Sequence, residues 1–154
     1  MGYQIYGYVQ VKDRDEQKWK TACIYHKTPY KDELCPIVLW HGREVGQYLW
    51  QKGTYVTKDE AKEFMREMDY WDEEAEEAYK ENGELLDVKA ISLAYMKYLA
   101  LTFEPEHNDY DYSGDEDRIK PGLEEMAKQV EMIVEFADYY GTLDEVRFIF
   151  HESY

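Results

Sequence analysis

Apolar and polar residues alternate along Tyr3–Lys12 (YQIYGYVQVK). Tyr3, Ile5, Val9 and Val11 point one way, and Gln4, Tyr6, Tyr8, Gln10 and Lys12 point the other. A period of two is that of a strand with one buried face. Gly7 falls on the inward set, where its missing side chain leaves room for a large ring from a helix layer. Trp19–His26 and Pro36–Trp40 read as second and third strands. The links between them, a charged turn over Lys12–Lys18 and the Pro29-containing stretch Lys27–Cys35, are too short for parallel crossovers, so an antiparallel meander is expected. Glu145–His151 (EVRFIFH) alternates again, with Val146, Phe148 and Phe150 on one face, and is expected to pair with the first strand.

Between these strands the period changes to that of helices. Arg43–Lys52 predicts a short helix with Val45, Tyr48 and Leu49 inward, ended by Gly53. Thr57–Gly83 predicts one long helix. Thr57 and Glu60 have the spacing of a capping box. Ala61, Phe64, Met65, Met68, Trp71, Ala75, Ala78 and Tyr79 share a face, and Asn82-Gly83 is a stop. Asp87 is expected to cap a further helix over Val88–Leu101, with Val88, Ile91, Tyr95, Tyr98 and Leu99 on one side. Phe103–Gly122 is polar, acidic and contains Pro105 and Pro121, so it reads as a loop. Leu123–Tyr140 predicts a last helix with Leu123, Met126, Ala127, Val130, Ile133, Val134, Ala137 and Tyr140 inward and Gly141 as its stop. The class that follows is α+β: one domain with an antiparallel sheet of about four strands and helices packed on one face.

Composition sharpens this picture. The 154 residues include 16 Tyr and 4 Trp, which argues for a core of large rings and against disorder. The formal charge is −16, and it is uneven. Residues 1–56 carry 8 bases against 6 acids, while residues 57–154 carry 10 against 28. Direct contact with a nucleic-acid backbone requires clustered Lys and Arg, so no direct nucleic-acid partner is expected. Cys23 and Cys35 form neither a disulfide framework nor a zinc spacing. The apolar run Ala90–Phe103 is short and interrupted by Lys97, so no membrane span is expected, and no basic, apolar leader is visible. The expected compartment is the cytoplasm.

The candidate chemistry is carboxylate chemistry. Glu60, Glu63, Glu67, Glu74, Glu77 and Glu81 recur at helical spacing along the long helix, and Tyr70 fills the gap in the series. Carboxylates three or four residues apart on a helix lie about 5–6 Å from one another, and like charges at that spacing destabilise the helix. Acids in a last turn also oppose the helix dipole. Either the face only keeps the chain soluble, or it presents carboxylates to a basic partner. A second acidic motif, Asp109-Tyr110-Asp111-Tyr112-Ser113-Gly114-Asp115, follows the front half of a calcium loop, with Asp109, Asp111, Ser113 and Asp115 as candidate ligands. It departs from that loop at the twelfth position, where Lys120 replaces the bidentate Glu. The histidines His26, His41, His107 and His151 show no metal or protease spacing, and no phosphate loop or nucleophile motif is present, so an enzyme is not expected.

Short pieces of the chain resemble a group of uncharacterised bacteriophage proteins. They are Met1-Gly2 with the strand to Lys12, Trp19-Lys20, Gly42-Arg43 with Tyr48-Leu49-Trp50, and Val146-Arg147-Phe148. The resemblance covers about a third of the chain. Where that group has Cys-Asp-Ile-His after Met-Gly, this chain has Tyr3-Gln4-Ile5-Tyr6, so no metal or acid–base role transfers to those positions. A phage origin is what the resemblance implies. Together with the acidic face it leads to an expected role as an inhibitor of anti-CRISPR or anti-restriction type, a DNA mimic that occupies the basic nucleic-acid groove of a bacterial defence enzyme. The alternative is a small accessory phage protein that binds calcium through the acidic loop.

Overall fold

The computed structural model describes residues 4–27, 32–68, 73–82, 87–104 and 116–153; within them the side chains of 4, 24–27, 32–34, 75, 78, 79, 81, 82, 116, 117, 152 and 153 are not described. The chain order is β1 (Gln4–Lys12), β2 (Trp19–Thr21), β3 (Cys23–Lys27), β4 (Asp32–Pro36), β5 (Val38–His41), α1 (Arg43–Lys52), β6 (Thr54–Tyr55), α2 (Lys58–Glu67), α3 (Glu73–Asn82), β7 (Val88–Ser92), α4 (Leu93–Thr102), α5 (Glu116–Phe136), a single 3-10 turn (Leu143–Glu145) and β8 (Val146–Ser153). The class is α+β with an antiparallel sheet. The main sheet has six strands in the order β2-β1-β8-β7-β6, with β5 also paired to β1.

The alternation in the two best-marked strands is realised. β8 pairs antiparallel with β1 from Gln4↔Ser153 to Val11↔Val146. Ile5 and Val9 of β1 and Val146, Phe148 and Phe150 of β8 are buried in the larger core, against Val45, Tyr48 and Leu49 of α1, Met96 and Leu99 of α4, and Leu123, Met126 and Val130 of α5. Gly7 admits a ring, but from the neighbouring strand: a Cβ there would lie 2.6 Å from the Phe148 ring. Phe148 and Phe150 stack at 5.4 Å.

The expected meander is rearranged. The chain leaves β1's edge at Ala22 and returns at Ile37, so β2 and β5 lie end to end along that one edge, at Gln10–Lys12 and Ile5–Tyr8 respectively. β3 and β4 form a separate two-stranded hairpin between them. Ala22 holds the junction, donating to the carbonyl of Val9 (2.9 Å) and accepting from Ile37 N–H (3.1 Å).

Several helical expectations are corrected. The stretch Thr57–Gly83 is not one helix: α2 ends at Glu67, Met68 leaves the helical region (φ −86, ψ 1), and α3 starts at Glu73. Val88–Ser92 is a strand, not the first turn of a helix, because β8 offers it a full ladder from Val88↔His151 to Ser92↔Arg147. Ser92, not Asp87, caps α4, its Oγ accepting from Tyr95 N–H at 3.1 Å. That shift turns Leu93, Met96, Leu99 and Ala100 inward and leaves Tyr95 and Tyr98 exposed.

At the other end, α5 begins at Glu116, inside the expected loop, and tolerates Pro121 in its second turn. It ends at Phe136 rather than Tyr140. Tyr139 N–H donates to the Val134 carbonyl (3.3 Å), Asp138 N–H donates to the Glu135 carbonyl (3.0 Å), and Asp138 has φ 54. This is a Schellman closure with aspartate in the left-handed position, so Gly141 is not needed as the stop and Tyr140 is exposed.

The second face of the sheet is partly covered as well. Tyr8 of β1, Val88 and Ala90 of β7 and Ile149 of β8 form a smaller core with Ala61, Phe64 and Met65 of α2, and Met68 packs at its margin. Tyr8 and Phe64 meet edge to face at 5.4 Å. The capping box of α2 is present: Thr57 Oγ1 accepts from Glu60 N–H (3.3 Å), and Glu60 Oε2 accepts from Thr57 N–H (3.4 Å). Trp71, expected to pack with Phe64 and Met68, lies outside the described residues.

Candidate functional site

The acidic residues singled out from the sequence do not form one stripe. Glu60, Glu63 and Glu67 share a side of α2; Glu74, Glu77 and Glu81 belong to α3. Glu74 and Glu77 are exposed, as is Glu73 beside them. The side chain of Glu81, and all of Tyr70, lie outside the described residues. The same holds for Asp109, Asp111, Ser113 and Asp115 of the calcium-like motif. Among the described residues, no group of three or more His, Cys, Asp or Glu is placed to hold a metal ion.

On α2 only Glu63 of the three is exposed. Glu60 and Glu67 are half-buried and face the second side of the sheet, where they close a chain of polar contacts. Arg147 Nε donates to Gln10 Oε1 (2.8 Å), Gln10 Nε2 donates to Thr21 Oγ1 (3.1 Å), and the Thr21 hydroxyl donates to Glu67 Oε2 (3.0 Å). At the other end, Glu60 Oε2 lies 3.4 Å from both Arg147 Nη1 and Nη2. The register of the sheet explains the arrangement. Gln10 stands opposite both Arg147 and Thr21, so one row across β2, β1 and β8 carries all three on the same face.

Burial sets the electrostatics of this row. Arg147 is 9% exposed, and burial pulls its guanidinium below the usual arginine range, with Glu60 opposing. Its guanidinium carbon lies over the Trp19 ring, 4.2 Å from the ring centre, a cation–π contact. Burial raises the Glu67 carboxyl above the ordinary range, with the nearby Glu63 charge acting in the same direction and the Thr21 hydrogen bond opposing both.

Next to Arg147 opens a cleft of about 680 Å³ between the β1–β2 turn and α2, lined among others by Lys12, Lys18, Trp19, Asp59, Glu60 and Glu63. A second hollow of about 370 Å³ lies at the exposed edge of β5, beside His41 and Glu125. His41 Nδ1 accepts from Gly42 N–H (2.9 Å), and burial lowers its basicity.

Sequence reasoning missed Arg147, Gln10 and Thr21 as a unit. The signal was faint. Gln10 and Arg147 occupy outward positions of strands already expected to pair, but only the register puts them side by side. No helix among the described residues is long and apolar enough to cross a membrane. No protein-family model matches the chain, and no curated protein or solved structure is significantly similar to it.

Proposed function

We propose that this is an acidic binding protein of phage type that occupies the basic nucleic-acid groove of a bacterial defence enzyme, and that it does so without catalysis. The observation that carries the reading is α3. Glu73, Glu74 and Glu77 are exposed within two turns, and Lys80, the one base of this helix, lies 3.7 Å from Glu76. Such a helix is costly on its own terms, because like charges at these spacings repel. A partner rich in Lys and Arg would offset that repulsion and would be drawn in from a distance. The fold narrows the contacting set. Glu60 and Glu67 are committed to Arg147 and Thr21, which leaves Glu74 and Glu77 of α3 as the exposed carboxylates of the series best placed for a partner.

The test is competition with DNA for a basic nuclease, followed at two salt concentrations. Binding is expected to weaken steeply with salt, since exposed charges are screened beyond about 8 Å at physiological ionic strength. The triple variant Glu74→Lys, Glu77→Lys, Glu81→Lys should lose affinity mainly through slower association while keeping its fold. Equal binding by wild type and triple variant, indifferent to salt, would remove this reading.

A further inference from the structure

The cleft beside Arg147 takes no part in the binding surface on α3. Its volume, about 680 Å³, falls within the roughly 300–1,000 Å³ typical of small-molecule sites. Its two walls differ in charge. Lys12 and Lys18 stand on the strand side with Trp19; Asp59, Glu60 and Glu63 stand on the α2 side. Glu16, also on the strand side, lies 4.0 Å from Lys20. Arg147 lines the space between the walls.

Arg147 is the informative group. Its Nε is held by Gln10, and its guanidinium carbon sits over the Trp19 ring. The Nη1–Nη2 edge is poorly served. The single oxygen that approaches it, Glu60 Oε2, is 3.4 Å from each nitrogen and is shared with Thr57 N–H. Nη2 is buried and has no hydrogen-bond partner among the described residues. A guanidinium–carboxylate fork closes through two oxygens at about 2.7–2.9 Å. A buried guanidinium with one distant, divided oxygen still lacks an acceptor.

The geometry points to a binding site for a small zwitterion bearing a carboxylate and an ammonium group, as in a free amino acid or a short peptide. The carboxylate takes the Nη1–Nη2 edge of Arg147 near Lys12 and Lys18, and the ammonium faces Glu63 and Asp59. Glu60 Oε2 is then released to the cap of α2. A simple anion would meet the carboxylates of the α2 wall, and a simple cation would leave Arg147 unserved. Juxtaposed like charges are penalised in either case, so the site selects for both charges on one molecule.

The test is a titration of the ¹⁵N-labelled full chain with L-alanine, with the dipeptide alanyl-alanine, and with acetate and methylammonium as half-ligands. The signals followed are the Trp19 indole N–H, assigned with Trp19→Phe, and the Arg147 Nε–H. At least one zwitterion is expected to shift both signals saturably at millimolar concentration or below, with each half-ligand at least about tenfold weaker. Comparing amino acid with dipeptide separates the two sources of this chemistry. The double rim variant Lys12→Gln, Glu63→Gln should weaken the zwitterion by about tenfold while leaving the rest of the spectrum in place. Three results would each overturn the site: no saturable shift by either zwitterion up to about 10 mM, acetate binding as tightly as the zwitterions, or unchanged binding by the rim variant. Each of these would leave the α3 reading standing, because none of the described α3 carboxylates borders the cleft.

Discussion

The two faces of the sheet are closed by different physics. Under α1, α4 and α5 the strands present Ile5, Val9, Val146, Phe148 and Phe150 to a cluster of buried apolar and aromatic side chains. Under α2 the same strands present Tyr8 and Ile149 over one half, and Gln10, Thr21 and Arg147 over the other. The first face is held by area removed from water, which needs no charged or titrating partner. The second is part apolar patch, part polar row, and the polar row works only while each member keeps its partner. A face of the first kind fixes the fold. A face of the second kind is where charge, ligand or pH can act.

The largest expected effect tests the apolar half of this contrast. Phe148→Ala removes a fully buried ring stacked on Phe150 and seated over Gly7. It should cost about 3–5 kcal/mol in chemical denaturation. Phe64→Ala, from the smaller core under α2, should fall at the lower end of that range, since a cavity near a polar margin can collapse or take up water. Equal losses would mean that the α2 face is packed as solidly as the other, and the contrast drawn here would fail.

How far the sequence revealed this contrast follows from the kind of signal each face leaves. The alternation in β1 and β8 and the apolar face of α1 mark the residues of the larger core, but in β1 and β8 the opposite set is buried too: Tyr8, Gln10, Arg147 and Ile149 lie under α2, which alternation alone does not reveal. Val88–Ser92 was misread because VKAIS suits either a helix start or a strand; the β8 ladder decided it, and that is a tertiary fact. The acidic series from Glu60 to Glu81 reads as continuous because charge spacing carries no information about the end of α2 at Met68. Arg147 was legible only as a residue on an outward position. Its burial depends on Trp19 from another strand and on α2 from above, and neither leaves a mark within seven residues of it.

A middle-sized effect tests the polar row. Arg147→Met keeps length and apolar bulk but removes the donor to Gln10 and the charge facing Glu60. Gln10 Oε1 is then left buried without its donor, at a cost of about 1–3 kcal/mol. Glu60 is partly exposed and can turn to water, so its share of that loss is small. Adding Gln10→Leu should restore much of the stability, because replacing both partners by apolar groups removes the unmet acceptor. A thermodynamic cycle over the two single variants and the double variant measures this coupling. Additive losses would show that Arg147 and Gln10 contribute separately, and that the row is not one unit.

The smallest expected effect lies at the end of the row, on Glu67. Burial raises its carboxyl in the folded chain, and Glu63 adds to the rise, while the Thr21 hydroxyl partly opposes it. A carboxyl whose folded value stands above its unfolded value binds its proton more tightly when folded. The associated stability is therefore fully present below the ordinary glutamate range and is lost as pH rises through the raised folded value. Neutral pH is where Glu67 weakens the fold. Glu67→Gln keeps an oxygen for the Thr21 hydroxyl and removes the charge, so the variant should be the more stable protein near neutrality by a fraction of a kcal/mol. The advantage should shrink as pH falls toward the ordinary glutamate range, where the wild-type carboxyl takes up its proton. Urea denaturation of the two proteins across that interval reads the difference directly. If the wild type is instead the more stable at neutral pH, and the gap closes on acidification, the ionised carboxylate is the favoured partner of Thr21. The polar row would then be held by charge along its whole length, not only at its Arg147 end.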